Sequence, residues 1–270
     1  MIPVVVAVGF SLASAGARVA PGARSQASSS ASGREPVLVE LFTSEGCSSC
    51  PPADTLLAEL DSRQPFRSAE IIAIEEHVDY WDQQGWKDPF SSADWTFRQN
   101  EYASSLHNGS AYTPEMVVDG TEGFVGSRGP TVKTAIEKAA SLPKAIVEIT
   151  EAAPPQKSVV LKVAVEKLPN ANPKDSAQVL LAITESGLHS AVKEGENAGR
   201  ELQHSAVLRE LKVIGTVGKN GEAFAAQPTV KLDSGWNVAH LRAVVFVQEK
   251  KSRRVLGAAE ITLAPETALR

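Results

Sequence analysis

Val39-Glu40-Leu41-Phe42-Thr43-Ser44-Glu45-Gly46-Cys47-Ser48-Ser49-Cys50-Pro51-Pro52-Ala53-Asp54 is the stretch on which the reading of the fold turns. The apolar, β-branched run from Pro36 to Phe42 suits a buried strand. Thr43 to Gly46 is turn-like and delivers Cys47. Pro51 and Pro52 suit the first turn of a helix, where no amide donor is needed. Leu56, Leu57 and Leu60 then recur at helical spacing.

Cys47 and Cys50 are the only cysteines among 270 residues, which excludes both a disulfide scaffold and a four-cysteine zinc site. In thiol–disulfide exchange one thiolate attacks, and a second sulfur must lie close enough to displace it from the mixed disulfide. The two-residue spacing supplies that second sulfur. A helix starting here aims its positive end at Cys47 and favours the thiolate. Cys47 is thus expected to be the exposed nucleophile and Cys50 the resolving thiol, with Glu45 and Asp54 as nearby acids opposing the lowered pKa. A purely structural bridge over so short a loop would stabilise little, which favours redox chemistry over a staple. Two thiolates alone do not make a metal site, and His77 is the one histidine with a route to them. No resident metal and no cofactor are expected.

Outward from this stretch, Ile71 to Ile74 suits a second buried strand. Ser91 or Ser92 can cap a helix bearing Trp95, Gln99, Tyr102 and Leu106 on one face. Met116 to Val118 and Phe124-Val125 suit a hairpin, and Pro130 opens a last helix. His77 to Phe90 crowds Tyr80, Trp81 and Trp86 with Asp79, Asp82 and Asp88. These rings form either a substrate-binding rim, with His77 as acid–base group or pKa tuner, or a packed loop whose carboxylates pair with Arg98 or Lys87.

A cysteine pair after the first strand, with Thr113-Pro114 before a later hairpin strand, resembles the thioredoxin fold. That resemblance implies a cis proline at Pro114, with Thr113 facing the substrate chain. The opening stretch, His77-Val78-Asp79-Tyr80-Trp81-Asp82, Gly85-Trp86-Lys87-Asp88-Pro89-Phe90, Arg98-Gln99 and Tyr112-Thr113-Pro114 together resemble a bacterial exported family catalogued as domain of unknown function number 1223. Gly195-Glu196-Asn197-Ala198-Gly199-Arg200 and Val207-Leu208-Arg209 also resemble it. Glu115 stands where the family pattern leads one to expect Gln.

From Pro143 the pattern changes to runs that suit strands: Ser158–Glu166, Val179–Thr184, Val207–Val217, Leu241–Gln248 and Val255–Leu263. Turn signals at Asn220-Gly221 and Ser234-Gly235 separate some of them, and Pro154-Pro155 falls in the first hairpin. The expected organisation is an α/β thioredoxin-like domain over residues 35–142 and an all-β, antiparallel sandwich-like domain over 143–270. The charged, glycine-flanked Glu194–Arg200 segment reads either as a binding edge or, on the small worth of exposed pairs, as a solvated turn held by Arg200 ion pairs, the latter being favoured. His189, His204 and His240 show no metal-ligand spacing.

Apolar residues make up 43% of the chain and charged residues 22%, as in soluble globular proteins. A net charge of −5 gives no reason to expect nucleic acid or an anionic membrane surface as partner. Ile2 to Leu12 is an apolar run followed by small residues around Ala13-Ser14-Ala15, although no Lys or Arg precedes it. Residues 1–23 therefore read as a signal-peptide region and 24–34 as a Ser/Ala-rich tether, which makes the protein periplasmic or secreted. The run is too short to span a bilayer. The expected function is disulfide exchange with protein thiols or disulfides and a redox partner. The rivals are a thioredoxin-like binding module with a structural disulfide and a copper chaperone using Cys47, Cys50 and His77.

Overall fold

A computed structural model describes residues 33–107, 109–152, 155, 157–166, 168–169, 172–217 and 222–263. The signal-peptide reading, the tether up to residue 32, Pro154 and the Asn220-Gly221 turn lie outside the described residues. The first half runs β1 (Glu35–Thr43), α1 (Pro51–Arg63), β2 (Ala69–His77), α2 (Ala93–Ser105), β3 (Glu115–Val118), β4 (Glu122–Val125) and α3 (Gly129–Ala140). Pro51 and Pro52 occupy the first turn of α1, and the Ser92 side chain caps α2 by accepting from the Asp94 amide. β1 pairs with β2 in parallel and with β3 antiparallel, and β3 and β4 form the hairpin.

The second half contains β5 (Ile146–Glu151), β6 (Ser158–Glu166), β7 (Ala177–Glu185), β8 (Leu188–Ala191), β9 (Glu201–His204), β10 (Val207–Val217), β11 (Phe224–Ala226), β12 (Thr229–Lys231), β13 (Leu241–Glu249) and β14 (Val255–Thr262). Its strands do not stand apart from the first half. One eight-stranded sheet runs β14-β13-β7-β10-β2-β1-β3-β4. The seam is β10 beside β2, where Val207 pairs in parallel with Glu75 and the Glu75 amide donates to the Ala206 carbonyl at 2.9 Å.

β5, β6, β11 and β12 form a second layer. Their alternating Val147, Ile149, Val159, Leu161, Val163 and Val165 pack on Val179, Leu181, Ala243 and Val245 of the long sheet, making the antiparallel sandwich. Beneath α1 and α3, Val37, Val39, Leu41, Leu57, Ile71 and Ile136 form the core of the first half. On the α2 face, Leu38, Ile72, Ile74 and Trp95 share one cluster with Leu180, Leu208, Val244 and Phe246. Apolar burial is thus continuous from one half to the other. Strand patterning reveals which face of a strand is buried, but not which strand will cover the open edge of β2.

Candidate functional site

Cys47 and Cys50 are joined in a disulfide at the N-terminus of α1, with Cys50 in the N-cap position. The Ser49 hydroxyl lies 3.3 Å from Cys47 Sγ, close enough to donate to it. The Thr113–Pro114 peptide is cis. Phe42 pairs with Glu115, so Pro114 enters the sheet at the end of β1 from which the cysteine loop departs. Trp81 ties these segments together. Its indole N–H donates to Thr113 Oγ1 at 2.8 Å, and its Cβ would lie only 3.0 Å from a Cβ added at Gly46, so a side chain there would have to push it aside. Gln99 Nε2 donates to the buried Glu115 at 2.9 Å, which accommodates the acid found where an amide was expected.

The expectation of an exposed Cys47 is corrected. Both cysteines are 0% exposed. The cover is the Val192–Arg200 segment, which includes the Glu194–Arg200 stretch expected to be a solvated turn. Asn197, itself buried, donates from Nδ2 to the carbonyls of Glu45 (2.8 Å) and Cys47 (2.9 Å). Glu196 accepts from the Ser48 amide at 3.0 Å. Gly195, at φ +76°, packs its backbone against Gly85, and a side chain there would press on Trp86. The segment is held by Asn197, Glu196 and glycine close approach; no Arg200 ion pair occurs among the described residues.

Behind the cysteines lies a buried ring of acids and histidines. Glu45 Oε1 is 3.1 Å from His204 Nε2, and His204 Nδ1 is 2.8 Å from Glu75 Oε1. Glu75 Oε1 is also 3.2 Å from His77 Nε2, and His77 Nδ1 is 2.7 Å from Asp88 Oδ2. The Glu45 amide donates to the same Asp88 oxygen at 2.8 Å, which closes the ring. Trp86 Nε1 donates to Glu45 Oε2 at 2.7 Å.

His77 therefore reaches the cysteine loop indirectly, through Asp88 on one side and through Glu75 and His204 on the other. No hydrogen bond joins it to either sulfur among the described residues. The aspartates of this segment do not pair with Arg98 or Lys87. Asp79 accepts from Thr96, Asp82 from Ser91, and Asp88 from Glu45 and Phe90 amides. His204, which shows no metal-ligand spacing in the sequence, is central to the ring. Its adjacency to Glu75 comes from the β10–β2 seam, so no local pattern could announce it.

The charges follow from burial against partners. Burial opposes the imidazolium of His77, yet Asp88 and Glu75 hold it well above its usual value. Burial likewise opposes His204, but Glu75 and Glu45 bring it up to about 9. Glu75 is pulled down to about 2 against its own burial by the two histidines.

Asp54 differs. It lies one helical turn beyond Cys50, accepts a 2.6 Å bond from Thr43 Oγ1, and is pushed up to about 7 by burial and then by the Glu75 charge. Its folded pKa exceeds the unfolded value, so its contribution to stability falls as pH rises from about 4 to 7. Asp54→Asn is accordingly expected to raise the Tm above wild type at pH 8. The advantage, on the order of a few kcal/mol, shrinks to nothing near pH 4. A difference that does not change over that range would show that Asp54 is ionised throughout.

Strand, cysteine turn, helix, second parallel strand and a hairpin entered through a cis proline form the layout of a thioredoxin-like protein. Residues 38–248 match the family described as "Protein of unknown function (DUF1223)", and the chain belongs to that family. Among solved structures, protein AGR_C_4864 from Agrobacterium tumefaciens superposes with a TM-score of 0.63 at 23% identity, covering 88% of this chain and 98% of that one. HBP35 of Porphyromonas gingivalis gives a TM-score of 0.64 at 14% identity, covering 88% and 78% respectively. At these identities the likeness concerns the fold alone. No curated protein matches the sequence. No helix among the described residues is long and apolar enough to cross a membrane.

Proposed function

We propose that this protein is an exported thiol–disulfide oxidoreductase that exchanges disulfides with a protein partner. The observation that carries the reading is the closed Cys47–Cys50 disulfide at the start of α1, on the sheet end that cis-Pro114 enters. In the reducing direction, the Cys47 thiolate attacks a partner disulfide, forming the mixed disulfide and releasing one partner thiolate. Cys50 then attacks Cys47 Sγ, closing the bridge and releasing the second partner thiolate; two electrons pass to the partner. Oxidation runs the same steps in reverse. Asp54, pushed up to about 7 and one helical turn beyond Cys50, is the carboxylate to which this reading assigns the Cys50 proton. Thr113 and Pro114 offer backbone to the partner chain, and Trp81 and Trp86 brace the loop that presents the cysteines. Export is supported by the apolar Ile2–Leu12 run and suits a protein that carries a disulfide.

The test is a trap. Cys50→Ser, incubated with a disulfide-bonded substrate protein, is expected to accumulate mixed disulfides through Cys47, and Cys47→Ser to show no exchange. A wild-type protein without exchange in glutathione buffers of any poise would sink the proposal. A second reading, a binding module with a structural disulfide, draws on the complete burial of both sulfurs. It predicts that both cysteine variants keep their partner and lose only stability.

A further inference from the structure

The geometry points to a divalent transition-metal site, of the kind that takes Zn²⁺, formed by Glu75, His77 and His204. The inference does not depend on the redox reading. Glu75 and His77 stand two apart on β2 and so share a face of the strand. His204 arrives at the end of β9, where the β10–β2 seam brings the chain beside Glu75. One ligand atom from each residue lies within 4.8 Å of the other two. Glu75 Oε1 stands 2.8 Å from His204 Nδ1 and 3.2 Å from His77 Nε2. Donors that each lie about 2.1 Å from one ion are themselves about 3.0–3.4 Å apart, and the two separations from Glu75 lie close to that range.

The surroundings are those of a metal site. A metal-bound imidazole usually donates its far N–H to a carboxylate, which fixes the ring and makes the near nitrogen a better ligand. Both histidines have this arrangement. His77 Nδ1 faces Asp88 at 2.7 Å, and His204 Nε2 faces Glu45 at 3.1 Å. His77 Nε2 is buried and makes no hydrogen bond, its 3.2 Å approach to Glu75 Oε1 being an ion-pair contact. An unpartnered buried nitrogen is costly, and an ion would satisfy it. The Phe90 ring packs edge-on against both imidazoles, with centroids at 5.4 and 5.5 Å, which shields the site from water.

Two imidazoles and one carboxylate form a donor set that suits Zn²⁺ and related ions better than Ca²⁺ or Mg²⁺. The ion would take the place of the proton between His204 Nδ1 and Glu75, so binding releases protons. It would clamp β2 of the first half to the β9–β10 turn of the second, immediately behind Glu45 and the cysteine loop.

The experiment titrates the full-length protein, disulfide intact and free thiol absent by Ellman assay, with Zn²⁺ by calorimetry and with Co²⁺ by visible spectroscopy. The expected result is one ion per chain, a Tm raised by Zn²⁺, and a Co²⁺ spectrum without thiolate charge-transfer bands. The Cys47→Ser/Cys50→Ser variant should bind equally. Asp88→Asn, folded by circular dichroism, should bind about 10- to 100-fold more weakly. His204→Gln should lose the site. Absence of binding to the oxidised wild type overturns the inference. So does binding that needs reduced cysteines, or binding unchanged in a folded His204→Gln protein.

Discussion

Asn197→Ala is expected to speed reduction of the Cys47–Cys50 disulfide by dithiothreitol about 5- to 100-fold. No reductant can reach a sulfur that is 0% exposed until its cover moves, and Asn197 pins that cover through two bonds to the Glu45 and Cys47 carbonyls. Each such bond is worth about 0.5–1.5 kcal/mol net, and removing the donor leaves the Glu45 carbonyl without its side-chain partner in the closed form, whereas the Cys47 carbonyl still accepts from the Cys50 amide. Both effects favour opening. Asn197 Oδ1 has no partner in the closed form, so no acceptor bond is lost in compensation. Rates would be followed by quenched-flow alkylation of the freed thiols. An Asn197→Ala rate equal to wild type would mean that the sulfurs are reached without displacing Val192–Arg200.

Arg98→Ala is expected to cost about 3–5 kcal/mol of folding stability, measured by denaturant unfolding. Arg98 is 4% exposed and sits on the inner face of α2. Its guanidinium pairs with Glu40 of β1, lies 3.3 Å from Glu76 of β2, and donates to Gln248 of β13 at 3.1 Å and to the Tyr102 hydroxyl at 3.1 Å. Removing it leaves Glu40 fully buried without its cation and takes the donor from Gln248 Oε1 across the seam between the halves. Glu76 supplies a control. Burial, and after it the Glu40 charge, outweigh Arg98 and hold the Glu76 carboxyl well above its ordinary range. A neutral amide therefore resembles its native state, and Glu76→Gln should change stability by no more than about 1 kcal/mol. An Arg98→Ala loss below 1 kcal/mol would show that the guanidinium is offset by its own desolvation.

The residues that make the first half legible are those whose signal is local. The apolar run before Cys47, the two prolines after Cys50, the Ser92 cap and the Met116–Val118 strand each encode backbone geometry within a few residues. β6 and β10 occupy the spans expected of them, because alternation and β-branching report burial directly. β8 and β9 give no sequence signal, because four-residue strands carry too few alternations to stand out. The sulfur environment was misread for a different reason. Helix position alone suggests an accessible Cys47, whereas its burial is imposed from 150 residues away by Asn197.

The cysteine pair, its helix, the succession of strands and helices along the first half and the strand-rich second half were thus determined by the sequence alone, since each rests on propensity, periodicity or spacing between near neighbours. Only the tertiary structure decided that β10 would close the open edge of β2. That one pairing draws His204 to Glu75 and places Asn197 over Cys47. Contacts between residues more than a hundred positions apart depend on which sheet edge and which buried charge find each other. No local pattern of side chains records that choice.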